Sequence, residues 1–257
     1  MGNVRIICTL GIITGASVIV FFERLFPYTK NQKFLREGFF NDFVLYTIVQ
    51  SYIMGIVISF IITFIDSGTH LTRLHIVSGW SVPVQIIFFF IVHDFYIYWF
   101  HRYQHNSIIF WRIHEAHHST RDVDWLSGSR SHALEILINQ TIEFAPIVLL
   151  GAAPEVPVIK GMIDALWGMY IHSNIDIKSG WLQFIFNGPE MHRWHHADKD
   201  NKAYNKNFST KIALWDWLFG TAYFPRLEKP LYYGLSYLNF PNNYIKQFFF
   251  AFRRIKN

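Results

Sequence analysis

Eight of the thirteen histidines in this chain fall into three short clusters. The clusters are His101-x-x-x-His105, His114-x-x-His117-His118 and His192-x-x-His195-His196. Residues three and four positions apart lie on one face of an α-helix, so each cluster can direct two or three imidazole rings at a single point. Neutral imidazole binds iron, copper and zinc, and ligand type alone does not select among these metals. The spacing therefore predicts a histidine-rich metal centre.

The number of histidines indicates two metal ions rather than one. A tetrahedral zinc site takes four ligands, whereas two ions could share eight imidazoles and keep positions open for oxygen or solvent. His172 is a further candidate ligand at the end of a later apolar segment. His132 has three possible roles: a metal ligand, a group that supports a ligand, or part of an ion-pairing site with Arg130 and Glu135. Glu135 and Asn174 are further candidates for binding the metal or supporting a ligand.

Asp94 is expected to support the first histidine pair. If residues 94–105 are helical, Asp94, His101 and His105 lie on one polar stripe. A carboxylate in that position commonly accepts the second ring N–H of a metal-binding histidine. Three other histidines are not expected to bind metal, because they lie off the stripe or across the membrane: His93, His70 and His75.

The composition indicates that a membrane protein positions these residues. Hydrophobic residues make up 51% of the chain and charged residues 16%, against roughly 25% charged in soluble domains. The single cysteine, Cys8, excludes a disulfide within the chain and a four-cysteine iron–sulfur cluster. The net charge of +5 is not arranged in a nucleic-acid-binding motif. We therefore expect a membrane partner and no nucleic acid.

Three apolar segments are long enough, or nearly so, to cross a bilayer. Residues 6–22 and 43–65 carry no charge, and residues 76–100 lead directly into the first histidine pair. Residues 6–22 could also be a signal peptide, but no small-residue cleavage site follows them, so a retained anchor is favoured. Two weaker segments, residues 136–153 and 156–171, are separated by Pro154 and contain charged residues. They predict a helical hairpin partly shielded from lipid.

These elements predict an all-α integral membrane protein with about three transmembrane helices, a helical hairpin and a cytosolic histidine-rich cap. Positive residues concentrate after the first span, which places that connection and all three histidine clusters on the cytoplasmic side. Residues 1–75 would form membrane anchor helices, 76–225 the di-metal catalytic domain and 226–257 a C-terminal interfacial segment. For residues 244–257, a helix packed on the domain with a solvated basic end is an equal alternative.

Several motifs together resemble the fatty acid hydroxylase/sterol desaturase superfamily. They are HDFYIYWFHR at residues 93–102, HEAHHS at 114–119, HSN at 172–174, PEMHRWHH at 189–196, WDWLFGT at 215–221 and FERLFP at 22–27. The resemblance covers nearly the whole chain and is nearest to compact bacterial members that lack fused domains.

The resemblance implies a membrane-embedded non-haem di-iron oxygenase. Such enzymes use O₂ and two electrons to hydroxylate or desaturate an unactivated C–H position of a lipid, such as a sterol or fatty acyl chain. The eight clustered histidines match the metal-binding boxes of the superfamily, and His172 matches a further histidine of many members. Near His132, some relatives have a proline where this chain has Ala133, which weakens a ligand role for His132.

The electrons are expected from a separate ferredoxin or cytochrome-type donor with its reductase. The chain has no glycine-rich dinucleotide motif or iron–sulfur cysteine set. A basic loop with Lys199, Lys202, Lys206 and Lys211 is a candidate docking site.

Three alternative functions stay open at this point. One is an alkylglycerol-type ether lipid monooxygenase, whose reaction begins with hydroxylation next to the ether oxygen. The second is a non-catalytic membrane metal-binding or transport protein, although the clusters flank the spans instead of lying at the midplane. The third is a metallohydrolase with Glu115 or Glu190 as general base.

Overall fold

The computed structural model describes residues 1–197, 202–237 and 239–254. Within them the regular elements are helical, and the β-bridges, Pro27 with Ile175 and Ala197 with Tyr233, are isolated. The helices are α1 (Gly2–Leu25), α2 (Asn41–Thr69), α3 (Val82–Asn106), α4 (Ile108–His114), α5 (Ala133–Leu149), α6 (Val156–His172), α7 (Pro189–His195), α8 (Leu214–Leu218) and α9 (Tyr244–Phe250). The predicted all-α class is confirmed.

Three of these helices are long and apolar enough to cross a membrane, as predicted. Helices α1, α2 and α3 contain 24, 29 and 25 residues, and about 20 apolar residues suffice to span a bilayer core. The first ten residues of α2, Asn41–Gln50, are π-helical. Helix α3 begins at residue 82 instead of 76, because residues 76–81 form turns ahead of Pro83, which takes an early helical position.

Helices α5 and α6 form the predicted hairpin. Helix α1 packs along α6, and α2 packs along α5. The approach of α1 to α6 is close because Gly11 and Gly15 lack side chains: a Cβ there would come within 2.7 Å of Met162 and 2.4 Å of Leu166. The hairpin is therefore covered on two sides, as its charged residues predicted.

Buried ion pairs fix the segments around the second histidine cluster. Arg36 pairs with Asp124 at 2.8 Å and with Asp42 at 2.8 Å. Arg130 also pairs with Asp42 at 2.8 Å and donates a hydrogen bond to Ser119, next to His118. Because removing one partner would leave a buried charge unpaired, these segments are held firmly in place.

Helix α9 packs on the rest of the protein. The Tyr46 hydroxyl donates to Gln247 at 2.6 Å, and the Phe248 ring stacks on His132 with centroids 4.7 Å apart. Helix α9 therefore packs on the domain as one of the two expectations for residues 244–257 has it, but Arg253 of the basic end pairs with Glu115 instead of being solvated. The side chains of Ile245 and Phe249 are exposed, and an interfacial location for this segment stays a prediction. Residues 238 and 255–257 of the predicted C-terminal segment lie outside the described residues.

Candidate metal centre

Nine histidines converge into two adjoining groups. The ligand atoms within each group lie within 4.8 Å of one another. The five-histidine group contains His101, His105, His114, His118 and His195, and the four-histidine group contains His117, His172, His192 and His196. The structure thus brings His172 together with the three clusters predicted from sequence spacing.

The rings of one sequence cluster do not all point to the same group, which corrects the expectation from spacing. His114 and His118, four residues apart, join the five-histidine group, whereas His117 joins the other. Likewise His192 and His196 share the four-histidine group, and His195 joins the first. Successive helical residues differ in direction by about 100°, so adjacent imidazoles diverge. The second and third clusters each contribute to both groups.

The nitrogen geometry within each group fits a metal ion better than hydrogen bonding. The Nε2 atoms of His172, His192 and His196 form a triangle with sides of 2.8, 3.1 and 3.1 Å. A neutral ring nitrogen either donates or accepts a hydrogen bond, so at least two of the three nitrogens are of the same kind. The three contacts therefore cannot all be hydrogen bonds. At a metal–nitrogen distance of about 2.1 Å, ligands at right angles lie about 3.0 Å apart. In the other group, His114 Nε2 lies 3.1 Å from His101 Nε2 and 3.2 Å from His118 Nε2.

Oxygen acceptors on the far side of four rings orient them for metal binding. The pairs are His101 with the Phe208 carbonyl at 2.8 Å, His114 with the Glu135 carboxylate at 2.7 Å, His172 with the Gly168 carbonyl at 2.7 Å and His195 with the Lys206 carbonyl at 2.9 Å. Each acceptor places the proton on Nδ1, which leaves the Nε2 lone pair free for a metal. One of these lone-pair positions, His195 Nε2, is buried and has no hydrogen-bond partner, and His105 Nε2 in the same group is also buried without a partner. The residues therefore fit two metal ions.

Burial also keeps the imidazoles in the form that binds metal. Burial, together with neighbouring histidines, lowers the pKa well below the ordinary 6.5 for six rings outside the membrane-spanning helices: His114, His117, His118, His192, His195 and His196. A neutral imidazole offers a lone pair, whereas a protonated one does not. The site is thus arranged for cations rather than anions.

Comparison with known protein families identifies the family to which this chain belongs. The family model for fatty acid hydroxylases matches residues 86–221, more than half of the chain, including all nine histidines. The chain belongs to the fatty acid hydroxylase family.

Its relatives are lipid-modifying enzymes of modest identity. The ornithine lipid hydroxylase OlsE of Rhizobium tropici is 28% identical over 219 residues, covering 83% of this chain and 66% of the relative. Human alkylglycerol monooxygenase is 31% identical over 158 residues, covering 62% of this chain and 34% of the relative. This chain thus spans about two thirds of the first relative and about one third of the second. No solved structure matches. The first of these relatives is named as a hydroxylase and the second as a monooxygenase.

In this fatty acid hydroxylase family member, Glu135 rather than Asp94 supports a histidine ring. Asp94 accepts hydrogen bonds from the backbone N–H groups of Lys211 and Ile212 and from the Trp215 indole, at 2.9–3.0 Å. It also accepts from Thr210. The expectation that Asp94 accepts a ligand N–H is therefore wrong: its carboxylate anchors the loop before α8 to α3. The sequence could not show this, because the loop is distant along the chain.

His132 and Asn174 lie outside both histidine groups. His132 begins α5: its Nδ1 accepts the Leu134 N–H at 3.1 Å, as a helix cap does. The predicted ion-pairing site is wrong as well, because Arg130 pairs with Asp42. Asn174 binds the backbone of Thr29 through both its amide oxygen and its amide nitrogen. Both residues therefore hold the fold around the site.

A cavity of about 210 Å³ opens onto both histidine groups. Its walls include Ile97, Phe100 and Trp167, and its far end is polar, with His93 and Lys211. Sequence reasoning missed this polar end, although ionisable residues within apolar segments were the available signal.

The prediction that Lys211 belongs to a basic docking loop is wrong. Its side chain is buried and contacts Asp164 at 3.3 Å, so it is not available to a protein partner. Lys202 is exposed, and the Lys206 ammonium donates to the Gly220 carbonyl at 3.4 Å. Lys199 lies outside the described residues.

Proposed function

We propose that this protein is a membrane-bound di-iron oxygenase that hydroxylates or desaturates a C–H position of a lipid, such as a sterol or fatty acyl chain, with O₂. The observation that carries the proposal is the pair of adjoining all-histidine groups that line a part-apolar cavity. Membership of the fatty acid hydroxylase family and similarity to lipid hydroxylases support the same assignment.

The nine histidines would hold two iron ions, and iron supplies the activation of O₂ that side chains cannot perform. The chain's own residues bind, orient and shield. The Phe208 and Gly168 carbonyls and the Glu135 carboxylate fix three rings. Ile97 and Phe100 line the cavity and exclude water from the reacting part of the lipid.

The cavity's position suits a substrate that arrives from the bilayer. Helices α3 and α6 each begin away from the histidine groups and end at them, at His105 and His172. Both groups therefore lie at one end of the apolar bundle, where a lipid can enter between helices. The positive residues after α1 favour the cytoplasmic side for this end.

We assign the two electrons to a separate donor of ferredoxin or cytochrome type, with its reductase. One cysteine cannot hold an iron–sulfur cluster, and no dinucleotide-binding glycine motif follows a strand.

The contacts of the two candidate general bases favour an oxygenase over a metallohydrolase. Glu115 forms an ion pair with Arg253 and accepts a hydrogen bond from Tyr237. Glu190 accepts from Gln183 and from the Ser179 backbone. Neither carboxylate contacts a histidine of the two groups in the described hydrogen bonds, so neither is poised to activate a metal-bound water.

Ether lipid oxidation is a second candidate within the same chemistry. The 31% identity with human alkylglycerol monooxygenase favours it. Product analysis separates the two: hydroxylation beside an ether oxygen releases a long-chain aldehyde, whereas other positions give a stable hydroxylated or unsaturated lipid.

The first test is the metal content of the full chain, purified anaerobically and reconstituted with ferrous iron-57. We expect two iron ions per chain and a coupled di-iron Mössbauer signal, because two ligand groups adjoin. The variant His192→Asn should lose iron from the four-histidine group, whereas the matched control His70→Asn, at an exposed position, should not. One tightly held zinc and no iron after reconstitution would overturn the proposal.

A further inference from the structure

A buried polar cluster closes the end of the cavity opposite the metal-binding histidines. It contains His93 of α3, Glu143 of α5, Lys160 and Asp164 of α6, and Lys211 of the loop before α8. Ionisable groups at this depth of an apolar bundle are costly, and they usually mark a functional path or site.

The cluster is not a third metal site, although His93, Glu143 and Asp164 could by geometry hold an ion. The Lys160 ammonium already occupies the centre. It lies 2.5 Å from Glu143 Oε1, 2.5 Å from Asp164 Oδ2 and 3.0 Å from His93 Nδ1. These contacts use all three ammonium hydrogens. A divalent cation would have to displace a buried charge that is fully paired.

The Lys160 contact fixes the proton on His93. Since Lys160 donates to Nδ1, a neutral His93 carries its hydrogen on Nε2, which makes Nε2 a donor. This side chain is 8% exposed and lines the cavity. Its Nε2 has no hydrogen-bond partner, and the nearest carboxylate oxygen, on Glu143, is 3.6 Å away. A buried N–H donor without an acceptor lowers the stability of the fold unless a ligand accepts its hydrogen bond.

Two more donors face the same end of the cavity. Trp167 lines the cavity, and its indole N–H is buried without a partner. The Lys211 ammonium has only longer contacts, 3.3 Å to Asp164 and 3.8 Å to Asp94. Although burial opposes its charge, these carboxylates raise the pKa of Lys211, so it stays an ammonium. The cavity end therefore has three N–H donors without a close acceptor, against one carboxylate oxygen, Asp164 Oδ1, that also lacks a hydrogen bond.

We propose that His93, Trp167 and Lys211 form a subsite that binds an acceptor oxygen, a carboxylate or phosphate oxygen of a lipid's polar group. This inference rests on the proposed function and names its substrate class: a lipid that is held by its polar group and oxidised at a fixed distance along its chain, as opposed to a plain hydrocarbon. From His93 to His101 the helix advances about 12 Å. An extended alkyl chain needs about ten bonds to span this distance, so the oxidised carbon lies about ten bonds from the bound oxygen. A cavity of about 210 Å³ holds such a short segment and leaves the rest of the lipid in the bilayer.

The test is a displacement assay on the full chain in detergent. The fluorescent fatty acid cis-parinaric acid is bound first, and palmitate, lysophosphatidate or hexadecane then displaces it. We expect at least one oxygen-bearing competitor to displace the probe better than hexadecane. Displacement by palmitate would identify the bound oxygen as a carboxylate oxygen, and displacement by lysophosphatidate would identify it as a phosphate oxygen.

Two variants remove single donors. Trp167→Phe keeps most of the ring volume, and His93→Asn keeps an acceptor for Lys160 near the Nδ1 position. Each variant should lower the affinity for the oxygen-bearing competitor about three- to tenfold, the range for the loss of one hydrogen bond. The matched control Trp181→Phe, at a side chain that is 68% exposed, should change nothing.

The proposal of this subsite is overturned if hexadecane competes as well as both lipids, or if the Trp167→Phe variant binds the two lipids as tightly as the wild-type protein does. Iron content is measured on the same samples. An oxygen preference in protein that cannot take up iron would retain the subsite and reject the oxygenase, and the reverse pattern would reject only the subsite.

Discussion

The Glu135 carboxylate provides the sharpest test of how the metal centre is built. It is buried, and its Oε1 accepts hydrogen bonds from His114 Nδ1 at 2.7 Å and from Gln104 Nε2 at 2.9 Å. The His114 contact fixes the ring and increases the basicity of its Nε2, which faces the five-histidine group. Removing the carboxylate should therefore weaken one iron site and leave the four-histidine group unchanged.

The expected magnitude follows from these two contacts. Losing a carboxylate that supports a ligand commonly lowers metal affinity about 10- to 100-fold, or about 1.4–2.7 kcal/mol. Glu135→Gln keeps an amide oxygen for one of the two donors and should fall near the lower limit. Glu135→Ala leaves both buried N–H groups without an acceptor, at about 1–3 kcal/mol each in the free energy of unfolding.

The assay is anaerobic competition for ferrous iron between the protein and a chelator, with circular dichroism to verify folding. We expect the affinity of one of the two iron sites to fall, more for Glu135→Ala than for Glu135→Gln. Glu228→Gln, at an exposed position, is the control. Wild-type affinity at both sites in folded Glu135→Ala protein would refute the reasoning and show that packing alone holds His114.

Three further predictions concern neighbouring residues and pH. His132→Ala should lower the free energy of unfolding by about 1 kcal/mol through loss of the α5 cap, without changing iron content; a loss of iron would contradict our placement of His132 outside the site. Gly128→Ala should remove iron from the four-histidine group, because its Cβ would lie 2.6 Å from His172 Nδ1, whereas Gly55→Ala meets nothing within 4 Å and should retain both irons. The iron-free protein should lose stability as the pH falls below 6.5: the unfolded chain takes up protons there, while burial holds the pKa of His118 and His195 well below that value in the folded state. Thermal unfolding midpoints that do not change between about pH 7.5 and about pH 5.5 would contradict this last prediction.

The membrane helices were predictable because their signal is local. An uncharged run such as residues 43–65 has no stable place in water, and its length alone fits a bilayer. The hairpin was predictable for a related reason: Pro154 interrupts two apolar segments that are each too polar to face lipid alone.

The supporting residues were not predictable in the same way. Asp94 is about two helical turns from His101 on the same helix, yet its carboxylate binds the loop that carries Lys211. Lys211 reads as part of a basic surface loop in the sequence, but it is buried against Asp164. A polar residue's partner depends on which distant segment packs against it, and no local pattern encodes that choice.

The sequence by itself determined the ligand type, the spacing and the apolar spans, since those depend on residue identity and helical periodicity. Only the tertiary structure decided how the histidines are shared between the two groups. His117 and His118 lie in a 3₁₀ turn, where adjacent residues point about 120° apart, so one goes to each group. The group that each ring joins depends on how the ends of α3, α4, α6 and α7 meet, and this is set by packing across the whole chain.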